Sequence, residues 1–168
     1  MIWLWMFTAL WTTAGAELDA NQVKARYLVN FMKYVTWPEE GKGPTNAFTI
    51  VVQDSATLKN ALDEVVRGKD FQGLPIRTVH TMSTHEFANA RMIFMRETNR
   101  EKVRALLAET PKRTLTIGEG PSFLAHGGMI EFNIFEGKVR FNVNLPALRQ
   151  AGFSVDPKLL VAAQEVRK

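Results

Sequence analysis

Arg140 carries the clearest recognition chemistry in this chain. It stands in Lys138–Asn144 (K-V-R-F-N-V-N), where apolar and polar residues alternate, so Asn142 and Asn144 share its face. A guanidinium flanked by amides can hold a carboxylate or phosphate through two parallel hydrogen bonds. A salt bridge to Glu131 or to a helix carboxylate would use the same group, and the sequence leaves both readings open. A second group lies in Lys24–Pro38, where Asn30 interrupts an apolar stretch between Tyr27 and Tyr34, just before Trp37. A buried amide there would need partners, either an adjacent loop or something recognised. Trp37 reads as a plug at a helix end, with a ligand platform as the alternative.

Catalytic chemistry is harder to find. His80, His85 and His126 are the only histidines, and none stands in a metal-binding spacing such as H-x-x-x-H. They read as surface or capping residues. The serines at 55, 83, 122 and 154 lack a nucleophile elbow. With no cysteine there is no disulfide, thiolate nucleophile, thiolate metal site or lipid-anchoring thiol. Gly118-Glu119-Gly120-Pro121-Ser122 has the outline of a dinucleotide loop, but the third glycine is missing and Pro121 removes a backbone donor. Turn chemistry explains it better. No catalytic residue, metal ligand or cofactor site is assigned, and the expectation is a protein that is not an enzyme.

The elements that position these groups follow from periodicity. Asp19 or Asn21 can cap a helix with Val23, Tyr27, Leu28, Phe31, Met32 and Val35 on one face, stopped by Trp37-Pro38. Gly41–Pro44 is a loop, and Glu39-Glu40 are loop charges. Strands at Phe48–Val52, Ile76–Val79, Met92–Met95 and Leu115–Ile117 alternate with helices. One helix opens at Asp54-Ser55, one at a Ser83–Glu86 capping box, and one carries Val103, Leu106 and Leu107. This predicts a single α/β domain with a mainly parallel sheet, helices on both faces and a C-terminal antiparallel hairpin. With Glu136-Gly137 as its turn, Ile134 faces Val139, Phe132 faces Phe141 and Ile130 faces Val143 on one side. Glu131, Asn133, Arg140, Asn142 and Asn144 form a polar row on the other. A closing helix carrying Leu159, Leu160, Ala163 and Val166 would cover part of the hairpin, with Leu148.

The chain of 168 residues is long enough for one core, and its 46% hydrophobic content is ordinary. The net charge is +4 and the pI near 9.5. Its cations are dispersed: the densest groupings, Arg96–Arg104 and Lys112-Arg113, are broken by acids or short, and no nucleic-acid motif accompanies them. Residues 1–16 hold no charge and end in Ala14-Gly15-Ala16, which fits a cleavable signal peptide cut after Ala16, though no Lys or Arg precedes the apolar run. Export to the periplasm and a mature domain at 17–168 are the expectation.

Two of these segments also carry a resemblance. Ala25–Pro38 matches an A-x-Y-L-x-N-F-x-K-Y-V-x-W-P pattern. Gly127-Gly128-Met129-Ile130 with Phe132, Val139-Arg140-Phe141, Asn144-Leu145 and Ala151-Gly152 match G-G-M-I-x-F…V-R-F-x-x-N-L…A-G. Lys69–Ile76 matches K-x-x-x-G-x-P-I. These patterns resemble the YfiR/HmsC-like family, whose members restrain membrane-bound diguanylate cyclases from the periplasm. The resemblance implies a non-enzymatic protein that binds the periplasmic portion of a GGDEF-type cyclase, represses it and lowers cyclic-di-GMP. Partner-binding candidates are then Arg140, Asn142, Asn144, Asn30, Tyr34 and Trp37. The alternative is a periplasmic small-ligand-binding module serving an envelope sensor or transport system. A homodimer is left open. The chain departs from the family in having Asn142 where a Glu is frequent, and in lacking the disulfides of some relatives.

Overall fold

The computed structural model describes residues 13–38 and 46–168. The first twelve residues of the expected signal peptide, the acids Glu39-Glu40 and the loop at Gly41–Pro44 lie outside the described residues. Helix α1 (Thr13–Tyr34) is longer than its polar residues suggest. Asp19 and Asn21, read as caps, lie within it. Ala14, Ala16 and Ala20 favour helix and no proline intervenes, so the helix continues through the expected start. Asn21 is buried and donates its Nδ2 to Thr57 Oγ1 at 3.2 Å. The helix stops as predicted, giving way to the short strand β1 (Val35–Thr36) before Trp37-Pro38.

The alternation follows. It comprises β2 (Phe48–Gln53), α2 (Ala56–Val66), β3 (Asp70–Phe71), β4 (Leu74–Thr81), β5 (Met92–Met95), α3 (Arg100–Glu109) and β6 (Leu115–Glu119). The hairpin β7 (Ile130–Phe135) and β8 (Lys138–Asn144) comes next. Then α4 (Leu145–Gln150), β9 (Ser154–Val155), α5 (Pro157–Ala162) and β10 (Glu165–Arg167) complete the chain. The main sheet has the order β10-β8-β7-β6-β5-β2-β4-β3. From β4 through β7 neighbours are parallel, and β8 turns back antiparallel on β7. Every residue of β2 and β5 is buried, as expected of parallel strands covered on both faces.

Alternate side chains of these strands feed two cores. Ile50, Val52, Met92 and Phe94 pack with α1, α2, α4 and α5. Val51, Ile93 and Met95 pack with α3 and with 3₁₀ turns at His85–Asn89 and Leu124–His126. Ser55 caps α2, accepting from Leu58 N at 3.4 Å. The Ser83–Glu86 capping box does not form: the turn there begins after Thr84 and has no side-chain cap, because Ser83 is tied to the Thr81 hydroxyl. Lys69–Ile76 is a tight β3–β4 hairpin whose turn residues, Gln72 and Gly73, both have positive φ.

The C-terminal hairpin has the register the alternation predicts, with Ile134 opposite Val139, Phe132 opposite Phe141 and Ile130 opposite Val143. Glu136 and Gly137 turn it with φ of 50° and 71°. Tyr27 and Phe31 of α1 pack on Phe132 and Phe141, with Phe31 stacked on Phe132 and both edge-on to Phe141. Ile134 reaches past this cover and is 61% exposed. The closing helix is shorter than expected. It ends at Ala162, and Val166 pairs with Val143 in β10. The outer edge of β8 offers unpaired backbone groups, and the chain's last strand satisfies them.

Candidate functional site

The polar row of the hairpin does three separate jobs. Glu131 is 6% exposed and accepts Leu124 N at 3.2 Å. It faces Asn142 in the register, while Arg140 faces Asn133. A Glu131–Arg140 salt bridge is therefore not the use made of Glu131. Asn144 caps α4, accepting from Ala147 N, and its Nδ2 donates to the carbonyls of Leu124 and Gly128. Together they hold the loop between β6 and β7, so Asn144 is a structural tie rather than part of an open recognition row. The sequence placed these side chains on one face but could not show that a loop lies over them.

Asn142 and Arg140 open onto two different cavities, both walled by α1 and both touching Ile134. The first, about 470 Å³, is lined by Lys24, Glu119, Glu131, Asn133, Ile134 and Asn142 among others. It lies beside the carboxyl ends of β6 and β7, where parallel α/β sheets offer ligand crevices. Lys24 Nζ donates to Glu119 Oε1 at 2.6 Å, joining α1 to the end of β6. The pair neutralises itself, and buried Glu131 remains in the wall. Asn133 Oδ1 and Asn142 Oδ1 are enclosed without a hydrogen-bond partner. Such an acceptor costs about 1–3 kcal/mol, so two on adjoining strands mark a place where a donor would be welcome.

The second cavity, about 420 Å³, is lined by Ala20, Val23, Tyr27, Ile134, Lys138, Val139 and Arg140. Arg140 is half-buried there, at the edge of a cavity whose other walls include Ala20, Val23 and Tyr27 of α1. Beside it Ile134 and Phe135 are 61% and 48% exposed at the hairpin tip. The arrangement can bind a partner that offers an apolar side chain to the tip and an anionic group to Arg140. Lys24, Glu119, Asn133 and Ile134 were missed as site residues. Lys24 opens the front motif and Asn133 lies on the polar row, but their meeting depends on tertiary packing.

The residues at the far end of α1 do not join this site. Asn30 is exposed rather than buried, because it falls on the side of α1 away from the sheet. Tyr34 is half-buried, packs against the core and gives its carbonyl to Asp156 N at 2.8 Å. Trp37 meets Phe48, Phe71 and Phe153 edge-on and donates Nε1 to Arg91 O at 3.2 Å. It is the plug its position suggested. Just before it, β1 pairs antiparallel with β9, which begins two residues after the rear motif, so the ends of the two distant motifs lie close together.

Gly118–Ser122 is no phosphate cradle. Gly118 gives room to the Phe123 ring, Gly120 turns the chain with φ of 95°, and Glu119 brings a carboxylate. Among the described residues no cluster of His, Asp and Glu could hold a metal ion, and no helix is long and apolar enough to cross a membrane.

The profile of the YfiR/HmsC-like family matches residues 21–164. No curated protein matches the sequence. Among solved structures, a conserved domain protein from Vibrio cholerae superposes with a TM-score of 0.54 at 11% identity, over 85% of this chain and 60% of that one. An ABC domain from Streptococcus pneumoniae, solved with L-Trp, superposes at 0.57 and 12% identity, over 88% and 60%. This chain thus spans 60% of each, less than two thirds, and the likeness is one of fold.

Proposed function

The chain belongs to the YfiR/HmsC-like family, and from that premise we propose that it binds the periplasmic sensor portion of a membrane diguanylate cyclase and represses it. At the level of the family, these proteins are periplasmic regulators of such cyclases and are not catalysts. The observation that supports this reading is the joining of both family motifs in one surface: α1 packs on β7–β8, leaving Arg140 half-buried beside exposed Ile134 and Phe135. A repressor must bind the inactive sensor better than the active one. A differential near 10⁴-fold, about 5.5 kcal/mol, carries a population from mostly on to mostly off. The test is deletion of the gene in a strain that makes the cyclase, which should raise cyclic-di-GMP and biofilm formation. Unchanged cyclic-di-GMP there overturns the reading. A pull-down from membranes with the mature protein as bait would name the partner.

A second reading, a module for a small solute, is favoured by the cavity holding Asn133 and Asn142. Their unpartnered oxygens and the Glu131 carboxylate suit a ligand with amine or amide donors. Thermal stabilisation by such a solute, lost in Asn142→Leu, would support it.

A further inference from the structure

Two groups of cations that are separate in sequence meet on the α3 face. Arg100 and Arg104, one turn apart on α3, are both exposed. Arg104, exposed Lys112 and half-buried His126 line a concavity of about 370 Å³, with Thr110, Thr114 and Thr116 among its other walls. Arg100 and His126 line a neighbouring one of about 500 Å³, with Thr98 and Ser122. Neither lining contains a carboxylate. The exposed large hydrophobics among the described residues are Met82, Ile134, Phe135 and Val161, none of them in these walls. A protein interface is anchored by aromatic or aliphatic side chains in pockets. The walls of the two concavities instead combine cations and hydroxyls with prolines and the less exposed Leu107 and Met129, and the exposed acids of α3, Glu101 and Glu109, line neither, which suits a surface of repeated phosphates.

We propose that the α3 face, centred on His126 with Arg100, Arg104 and Lys112, docks on an anionic phospholipid bilayer, with headgroup phosphates entering the two concavities. The contact is electrostatic and shallow, since no large apolar side chain is placed to enter the hydrocarbon. Helices α1 and α3 cover opposite faces of the sheet, so a chain held through α3 leaves the α1 face free to meet a partner. The inference does not depend on the cyclase: vesicles alone test it.

The experiment is cosedimentation of the mature protein with vesicles of phosphatidylcholine, with and without about one third phosphatidylglycerol. Binding is expected only to the anionic vesicles, and to be lost between about 50 mM and about 500 mM salt. Arg100→Glu/Arg104→Glu should weaken it at least about tenfold, while Arg26→Glu/Lys33→Glu on exposed α1 positions, with the same change in net charge, should weaken it under about threefold. Circular dichroism checks that both variants are folded. Binding indifferent to phosphatidylglycerol, or equal loss in the two variants, overturns the proposal. So does release by inorganic phosphate beyond that caused by sodium chloride of equal ionic strength, which would identify a small-anion site instead.

Discussion

Gly128 lies against Phe123: a β-carbon on that glycine would sit inside the ring and 2.8 Å from the Phe123 carbonyl oxygen. Gly118 flanks the same ring from β6, so the aromatic is held between two glycines that the chain keeps free of side chains. Gly127 differs. It has φ of 95° and open space around its β position, so its requirement is conformational.

The neighbouring glycines should therefore respond differently to one substitution. Gly127→Asn should cost less than about 1 kcal/mol, because asparagine tolerates the left-handed region. Gly128→Asn should cost about 3 kcal/mol or more, through overpacking against a ring that cannot retreat. Urea midpoints compare them, and equal losses would refute the assignment.

The hairpin pair is a second test. Phe132 and Phe141 are 2% and 1% exposed and face each other under Tyr27 and Phe31. Truncation of either to Ala should cost about 3–5 kcal/mol. The double variant should lose less than the sum, because both empty one cluster. A loss under about 1 kcal/mol in either single variant would be incompatible with this packing.

Much of this was legible in the sequence for a physical reason. The hairpin register follows from alternation, and a slip of one residue would have turned Phe132 and Phe141 to the polar side. The buried strand β2 appeared as a β-branched run, and Trp37-Pro38 ended α1 as its backbone chemistry requires. The start of α1 was not legible, because a polar residue caps a helix only where the chain turns, and Asn21 instead bonds Thr57. The end of the chain was misread because Val166 suits a helix face or an edge strand equally well. The fate of Asn144 and Glu131 depended on the 124–128 loop folding back over them, which no local pattern records. The cation face was hidden because α3 and Lys112 approach His126 only in the fold.

Asp63 gives the pH dependence a defined sign. Burial raises its pKa, but hydrogen bonds from Lys59 and Thr78, with the charges of Lys59 and Arg67, outweigh this and hold it below its ordinary value of 3.8. A carboxylate depressed in the folded state adds stability above its unfolded pKa, and that stability is lost as pH falls through the folded value. Asp63→Asn should thus lower the thermal midpoint at about pH 7, and the difference should vanish by about pH 2. The effect should be modest, since the side chain is 36% exposed. An unchanged difference at both pH values would show that Asp63 acts without its charge.

The functional prediction separates the two ends of α1. Arg140 lines the second cavity, half-buried and turned from the hydrophobic core of the hairpin, so Arg140→Ala should keep its fold, unlike Phe132→Ala. If the cavity beside Ile134 is the partner surface, that variant should weaken binding of the cyclase's periplasmic portion by about 1.5–3 kcal/mol, the scale of a charged hydrogen bond. Expressed at normal levels, it should reproduce part of the cyclic-di-GMP rise expected on deletion. Asn30→Ala, at an exposed position some ten residues and about 15 Å further along α1 than Ala20, should repress like the unaltered protein. Ile134→Asp would add a charge to the same tip and should weaken binding at least as much as Arg140→Ala. Full repression by folded Arg140→Ala and Ile134→Asp, with failure in Asn30→Ala, would move the contact to the exposed side of α1 while leaving the regulatory reading intact.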